Sequence, residues 1–225
     1  MCGRYSLVPQ ANFAERFNIA NLTLELEARY NIAPTQTSPV ITRNSPNRAE
    51  EMRWGLVPSW AKDVSIGNKM INARAETVAE KPSFRKALAA RRCLVPASGF
   101  YEWQRTPGGK IPHYIFLPDS EYFAFAGLYE TWKDHEGNLL KTYTIITTTP
   151  NELMAQIHNR MPVILHPDDE DRWLDHDTEL DEVLSLLKPF PAELMDAYVV
   201  STAVNSPFHE GPSLIEAIPQ QAELG

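Results

Sequence analysis

A cysteine directly behind the initiator methionine, in Met1-Cys2-Gly3-Arg4, is the residue of this chain with the clearest chemical use. Cysteine is small enough for Met1 to be removed, and removal leaves Cys2 with a free α-amine beside its thiol. An α-amine titrates at roughly 7.7–8.0 and a free thiol at about 8.5, so both are partly nucleophilic at neutral pH. Such a 1,2-aminothiol can attack an acyl carbon with the amine as base. It can also capture an aldehyde, first as an imine and then as a closed thiazolidine. The plain alternative is a frayed chain end.

Three further segments place polar groups on otherwise apolar stretches. In Ile71-Asn72-Ala73-Arg74-Ala75-Glu76, strand alternation puts Asn72, Arg74 and Glu76 on one face. Glu102 lies between Tyr101 and Trp103, and a carboxyl that is desolvated there can serve as a general acid or base. In His158-Asn159-Arg160, an extended backbone points the imidazole and the guanidinium the same way, and imidazole suits proton transfer near neutrality. Each has a structural alternative: a wet strand face, a satisfied histidine, a surface Arg74–Glu76 pair. The six histidines show no metal-ligand spacing, so no metal and no cofactor is expected. His166 with Asp168 and Asp169 reads as a loop and the charged start of a helix. Trp54 and Trp60 bracket a Gly/Pro turn; Trp54 reads as core and Trp60 as an exposed ring able to stack on bases. Arg4, Arg74, Arg85 and Arg160 are suited to gripping phosphates.

The elements that must position these residues are short and numerous. The 225 residues are 43% hydrophobic, enough for one globular domain over 1–225 with a full core. No apolar run reaches membrane-spanning length and no signal-peptide core precedes the domain. Two cysteines without a CxxC pair argue against a disulfide framework or a cysteine zinc site and make a reducing, cytoplasmic setting the default expectation. The net charge of −8 hides an asymmetry: residues 1–110 carry 16 Lys and Arg against 9 Asp and Glu, whereas 111–225 carry 5 against 20. A basic half suits a polyanion and an acidic half suits solvent, with scattered surface charge as the alternative. Alternation and β-branched content predict strands at 3–8, 40–43, 52–57, 71–75, 93–96, 100–105, 114–117, 122–129, 142–148, 161–165 and 197–200. Helices are predicted at 11–17, 83–90, 151–157, 168–174 and 178–187, with Ser83 and Asn151 as N-caps. The fold class is α+β, a β-rich domain with mixed and antiparallel sheets closing on a barrel-like core flanked by helices.

Ordered blocks along nearly the whole chain resemble one family, the SRAP (SOS response-associated peptidase) abasic-site processing proteins. They are Met1-Cys2-Gly3-Arg4-Tyr5, Arg29-Tyr30-Asn31-Ile32-Ala33-Pro34, Trp54-Gly55-Leu56-Val57-Pro58 and Ile71-Asn72-Ala73-Arg74-Ala75-Glu76-Thr77, then the stretch from Arg92 to Trp103, Phe125-Ala126-Gly127-Leu128, Ile157 to Leu165 and Val200 to Asn205. The resemblance implies covalent capping of abasic sites in single-stranded DNA, with Cys2 as nucleophile and Asn72, Glu102 and His158 completing the site. It implies backbone contacts from Arg4, Arg74, Arg85 and Arg160, and wedging or stacking by the Pro34 and Trp60 loops. Associated lyase and self-processing peptidase activities also come with the family; its peptidase label is taken to reflect exposure of Cys2 by Met1 removal. A monomer acting on DNA, with no membrane partner, is the expectation. The chain departs from some members at Ala61, where they carry a second consecutive tryptophan, which implies a smaller stacking platform. Two rivals remain in view. Class II glutamine amidotransferases also begin Met-Cys-Gly, but they continue with an aliphatic residue where this chain has Arg4. A non-covalent reader of single-stranded or modified DNA would leave Cys2 incidental.

Overall fold

Thirteen short strands and five short α-helices occur among residues 2–43 and 47–218, the part of the chain that this computed structural model describes. The strands are β1 (Tyr5–Leu7), β2 (Arg29–Ile32), β3 (Thr37–Thr42), β4 (Arg48–Trp54), β5 (Asn72–Arg74), β6 (Arg92–Ala97), β7 (Gly99–Thr106), β8 (Gly109–Phe116), β9 (Phe123–Lys133), β10 (Leu139–Thr148), β11 (Met161–Pro162), β12 (Ile164–Leu165) and β13 (Asp196–Val199). The helices are α1 (Phe13–Arg16), α2 (Arg85–Ala90), α3 (Glu152–Ala155), α4 (Pro167–Leu174) and α5 (Leu180–Ser185).

Pairing runs from β10 through β4, β3, β6 and β9 and returns to β10, closing a five-stranded barrel without free edges. The β4–β10 contact is parallel and the rest of the ring is antiparallel, so the sheet is mixed. At ten residues, β10 is long enough to take two partners along each edge. Thr142 and Tyr143 face β4, and Ile145 to Thr147 then face β5 in parallel. On the other side β9 gives way to β11 at Thr147. The second sheet is antiparallel, in the order β13–β8–β7–β1–β2. Its two faces are both buried, following the period of two. Tyr5, Phe100 and Ile115 join the main core, whereas Tyr101 and Tyr114 pack with Val200, Val204 and Leu214.

Tyr5 fastens the second sheet to the barrel. Its ring meets Trp54 edge-on at 5.3 Å and Phe125 at 5.9 Å, and its hydroxyl lies 2.7 Å from that of Tyr143. Aromatic pairs of this kind contribute about 0.5–1.5 kcal/mol beyond the area they bury. Gly99, opposite Ser6, is required by packing: a Cβ there would lie 2.2 Å from the Tyr114 ring, whose hydroxyl hydrogen-bonds Ser6 at 2.9 Å. Both contacts fix β1, and therefore the residues just ahead of it.

The expected architecture stands, with local corrections. The predicted 71–75 strand ends at Arg74, and Ala75–Thr77 turn into a 3-10 helix, so Glu76 leaves the face it was assigned with Asn72. The stretch around His158 is a turn leaving α3, in which the His158 N–H donates to Met154 O at 2.7 Å, and not an extended segment. Ser83 is not an N-cap: α2 starts one residue later behind Phe84, and Lys81 O takes the Phe84 and Arg85 N–H groups. Asn151 caps α3 as expected, its side chain accepting from Met154 N–H at 2.8 Å. Strand β2 was not anticipated, because Arg29-Tyr30-Asn31-Ile32 shows neither alternation nor β-branched enrichment. No helix among the described residues is long and apolar enough to cross a membrane.

Candidate active site

Cys2 is fully buried and belongs to the main core beside Tyr5. The chain ahead of β1 is held against β7 by Tyr101 N–H donating to Arg4 O at 3.0 Å, and the Cys2 thiol lies 4.0 Å from the same carbonyl. This path brings Cys2 next to Glu102, which is itself 3% exposed. The sequence expectation of a partly ionised thiol is not met in this state. Burial pushes the Cys2 thiol well above the ordinary thiol value, and the negative charge of Glu102 pushes it further, so the thiol is held protonated beside a carboxyl. Met1, whose removal the aminothiol chemistry requires, lies outside the described residues.

Across the hairpin from Glu102 stands His113 of β8, in direct register. Its Nδ1 is 3.2 Å from Ile111 O, and burial lowers its pKa, so a neutral imidazole faces the carboxyl's strand. Two residues along the same face, Gln104 Nε2 donates to Gln156 O at 3.0 Å. That bond ties β7 to the turn carrying His158. The His158 ring accepts from Arg160 N–H at Nδ1, 3.1 Å, which places the neutral ring's proton on Nε2.

Arg160 closes the circle. Its guanidinium meets the Glu76 carboxylate in a two-point contact of 2.5 and 3.0 Å, and its Nη2 also donates to Thr147 O at 2.6 Å. Thr147 is the register partner of Arg74, and Ile145 is that of Asn72. Asn72 donates weakly to Ile145 O at 3.5 Å, while its buried Oδ1 has no hydrogen-bond partner among the described residues. The preceding residue is pinned as well, since Trp54 Nε1 donates to Ile71 O at 2.9 Å and Trp54 packs on Tyr5. Cys2, Asn72, Glu102 and His158 thus come from four separate segments tied to one another by these bonds. Arg160 holds the Glu76 carboxylate below the usual carboxylate range, so the hydrogen-bonded partner of Glu76 is Arg160 and not Arg74.

The remaining candidates are placed less uniformly. Arg4 Nη1 is committed inward, to Asn31 Oδ1 and Val204 O at 2.7 Å each, and the guanidinium lies 5.9 Å over the Trp103 ring. Burial pulls its pKa below arginine's ordinary value. Arg74 and Arg85 are exposed, and Arg85 opens α2 with no described tie to the cluster. Pro34 leads into Thr35, a non-glycine residue at φ +75° that is held by Thr35 N–H donating to Trp54 O at 2.9 Å. Trp60 is 58% exposed on a turn braced by Trp132, whose Nε1 donates to Ala61 O at 2.7 Å, while Trp54 is core as expected. Gln104, His113 and Asn31 had no assigned role in the sequence reading; their positions follow only from the β7–β8 and β1–β2 registers. Among the described residues no His, Cys, Asp and Glu side chains gather as a metal site.

The family model described as SOS response associated peptidase (SRAP) matches residues 1–207. The chain belongs to that family. The abasic site processing protein YoqW of Bacillus subtilis is 53% identical over 96% of this chain and the whole of that protein. The abasic site processing protein HMCES of Gallus gallus is 35% identical, covering 87% of this chain and 67% of that protein. Among solved structures, a Bacteroides thetaiotaomicron protein superposes with a TM-score of 0.89 at 33% identity, over 96% of this chain and all of its own. A Bordetella bronchiseptica protein does so at 0.77 and 25% identity, over 89% of this chain and all of its own.

Proposed function

We propose that this SRAP-family chain caps abasic sites in single-stranded DNA by a covalent thiazolidine at Cys2, acting in the reducing interior of the cell. The observation that carries this reading is the burial of both Cys2 and Glu102, with Cys2 just ahead of β1 and within electrostatic reach of the carboxyl, while Asn72 and His158 lie on segments bonded to β10 and β7. The names of the relatives supply the lesion. An abasic deoxyribose opens to a minor aldehyde form. Once Met1 is gone, the Cys2 α-amine adds to C1′ and water leaves, giving an imine. The thiol then adds to the imine carbon, its proton passes by way of Glu102 to the nitrogen, and the ring closes. A thiol held protonated needs such a base at the moment sulfur attacks, which is the role of Glu102. His158 moves protons during sugar ring opening, and Asn72 orients the Cys2 terminus through its unsatisfied Oδ1. A lyase step through the open imine is the side reaction that ring closure prevents.

The deciding experiment mixes the mature protein with a single-stranded oligonucleotide carrying one abasic site and runs a denaturing gel. A shifted band that survives boiling supports the reading; a band no stronger than that of an intact oligonucleotide excludes it. Glu102→Gln is expected to slow adduct formation by roughly 10²–10⁴, the range that general acid–base groups supply. Stopped time courses measure this, and a rate equal to the parent's removes Glu102 from the chemistry.

Phosphate contacts are assigned to Arg4, Arg74, Arg85 and Arg160, and wedging to Pro34 and Trp60. Arg74→Ala and Arg85→Ala should each lower the slope of log affinity against log salt by about one, without changing the melting temperature. A salt titration with unmodified single strands is the check, and unchanged slopes take either arginine out of the interface. Arg4→Ala differs because its guanidinium also holds Asn31 and Val204, so its melting temperature should fall.

A further inference from the structure

Phe208 is the most exposed large apolar side chain among the described residues, at 91%. Such a ring is usually on a slack loop, and this one is not. Asn31 Nδ2 donates to Ser206 O at 2.9 Å and to His209 O at 2.8 Å, one bond on each side of Phe208. His209 Nδ1 donates to Ala203 O at 2.8 Å, and Trp103 Nε1 donates to Asn205 Oδ1 at 2.7 Å. Glu210 takes Tyr30 N–H at 2.8 Å and Arg29 Nε at 3.2 Å. Backbone and neighbours are therefore fixed, and the phenyl ring is held out into water by a rigid frame. Leaving a whole phenyl in water forgoes the stabilisation its burial would give. A rigid support for such a ring calls for a partner that covers it.

The frame is continuous with the candidate site. Asn31, which grips both sides of Phe208, accepts at Oδ1 from Arg4, two residues after Cys2. Arg29 bridges the loop to the Pro34 turn, because it also donates from Nη2 to Gln36 Oε1 at 2.7 Å, and that same oxygen takes Ala33 N–H at 3.1 Å. The Phe208 loop and the Pro34 turn are thus tied to each other through Arg29. The negative charge of Glu210 is matched by Arg29, so it adds little repulsion toward phosphates.

We infer that Phe208 is a stacking platform for an unpaired nucleobase in the strand flanking the lesion, on the side of the Pro34 turn. A flat, uncharged ring on a fixed support accepts any base face, which suits a protein that must find a lesion in any sequence. The inference rests on the reading that this site takes single-stranded DNA. It extends that reading to a flank base, outside the Cys2, Asn72, Glu102 and His158 cluster.

The test uses an intact single-stranded oligothymidylate at fixed salt, together with a series carrying 2-aminopurine at successive positions. Phe208→Ala should weaken binding on the order of tenfold with an unchanged melting temperature, and Phe208→Trp should restore it. The abasic strand with 2-aminopurine at one flank position should be quenched by the parent and left bright by Phe208→Ala. Equal affinity for parent and Phe208→Ala, or a Phe208→Trp variant as weak as Phe208→Ala, overturns the platform. An intact strand has no aldehyde, so this readout is separate from covalent capture. Failure of the parent to form an adduct, with Phe208-dependent binding retained, sinks the covalent reading and keeps the platform. A parent that binds no single strand at all sinks both.

Discussion

Cys2→Ser should leave no adduct that survives denaturation, with the band on an abasic oligonucleotide falling to the background of an intact one. The serine variant keeps the α-amine, so it still forms an imine, but it has no sulfur to close the ring. What it loses is the tethered second step. A thiol on the β-carbon of the same residue acts on the imine carbon at an effective concentration that, for well-oriented intramolecular reactions, reaches roughly 10⁵ M or more. Without that step, the imine returns to aldehyde and amine or proceeds to β-elimination. The variant should therefore exchange a stable band for strand cleavage, and borohydride reduction should recover the missing band by trapping the imine. Buried Cys2 shares the main core with Tyr5, and serine is smaller than cysteine, so folding should hold. A serine variant whose unreduced adduct is as durable as the parent's would dispose of the thiazolidine. Retained Met1 should mimic the Cys2→Ser loss of the unreduced band, because the Cys2 nitrogen is then an amide and no thiazolidine can close.

Much of the candidate site could be singled out before its geometry was known, and the reason differs from residue to residue. Cys2 was legible from position alone, since only the second residue gains an amine on Met1 removal. Glu102 was legible because an acid between two aromatics on a strand must go either to water or into a protein interior, and it goes inside. Asn72 and His158 were legible mainly through the family blocks, and the local geometry assigned to them was partly wrong. A 3-10 turn redirects Glu76 to Arg160, and a turn after α3 replaces the extended stretch through His158. The first departure is tertiary, since alternation cannot register that Arg160 will reach both Thr147 of β10 and Glu76; the second is local, a helical turn closed by His158 N–H on Met154 O. Gln104, His113 and Asn31 were invisible for the same reason, because each matters only through the strand or loop opposite. The barrel was anticipated as a class, but not the double use of each edge of β10, which no local pattern encodes.

Arg92→Met should cost on the order of 3–5 kcal/mol of folding stability, a large part of the roughly 5–15 kcal/mol that domains possess. Arg92 is 2% exposed, and its guanidinium spreads over three main-chain carbonyls. Nε donates to Trp173 O at 2.5 Å, Nη1 to Leu88 O at 2.8 Å, and Nη2 to Asp175 O. Leu88 lies in the last turn of α2 and Trp173 in that of α4, so one cation satisfies an orphan carbonyl of each helix, while Asp175 O also takes Thr178 N–H. Methionine fills similar volume without a donor, and each stranded buried acceptor costs about 1–3 kcal/mol. Lysine should be intermediate, since its ammonium cannot match a planar fork aimed at three acceptors. Urea unfolding measures the loss, and an Arg92→Met variant within about 0.5 kcal/mol of the parent would contradict the account. Adduct yield per folded molecule should not change. That separation bears on the basic half of the chain, where an excess of arginine and lysine was read as a polyanion-facing surface. Arg92 spends its charge on helix ends, Arg4 on Asn31 and Val204, and Arg160 on Glu76. On the proposed reading, the exposed Arg74 and Arg85 are therefore the groups freest to meet phosphates, while Arg4 and Arg160 would have to share theirs with the partners they already hold.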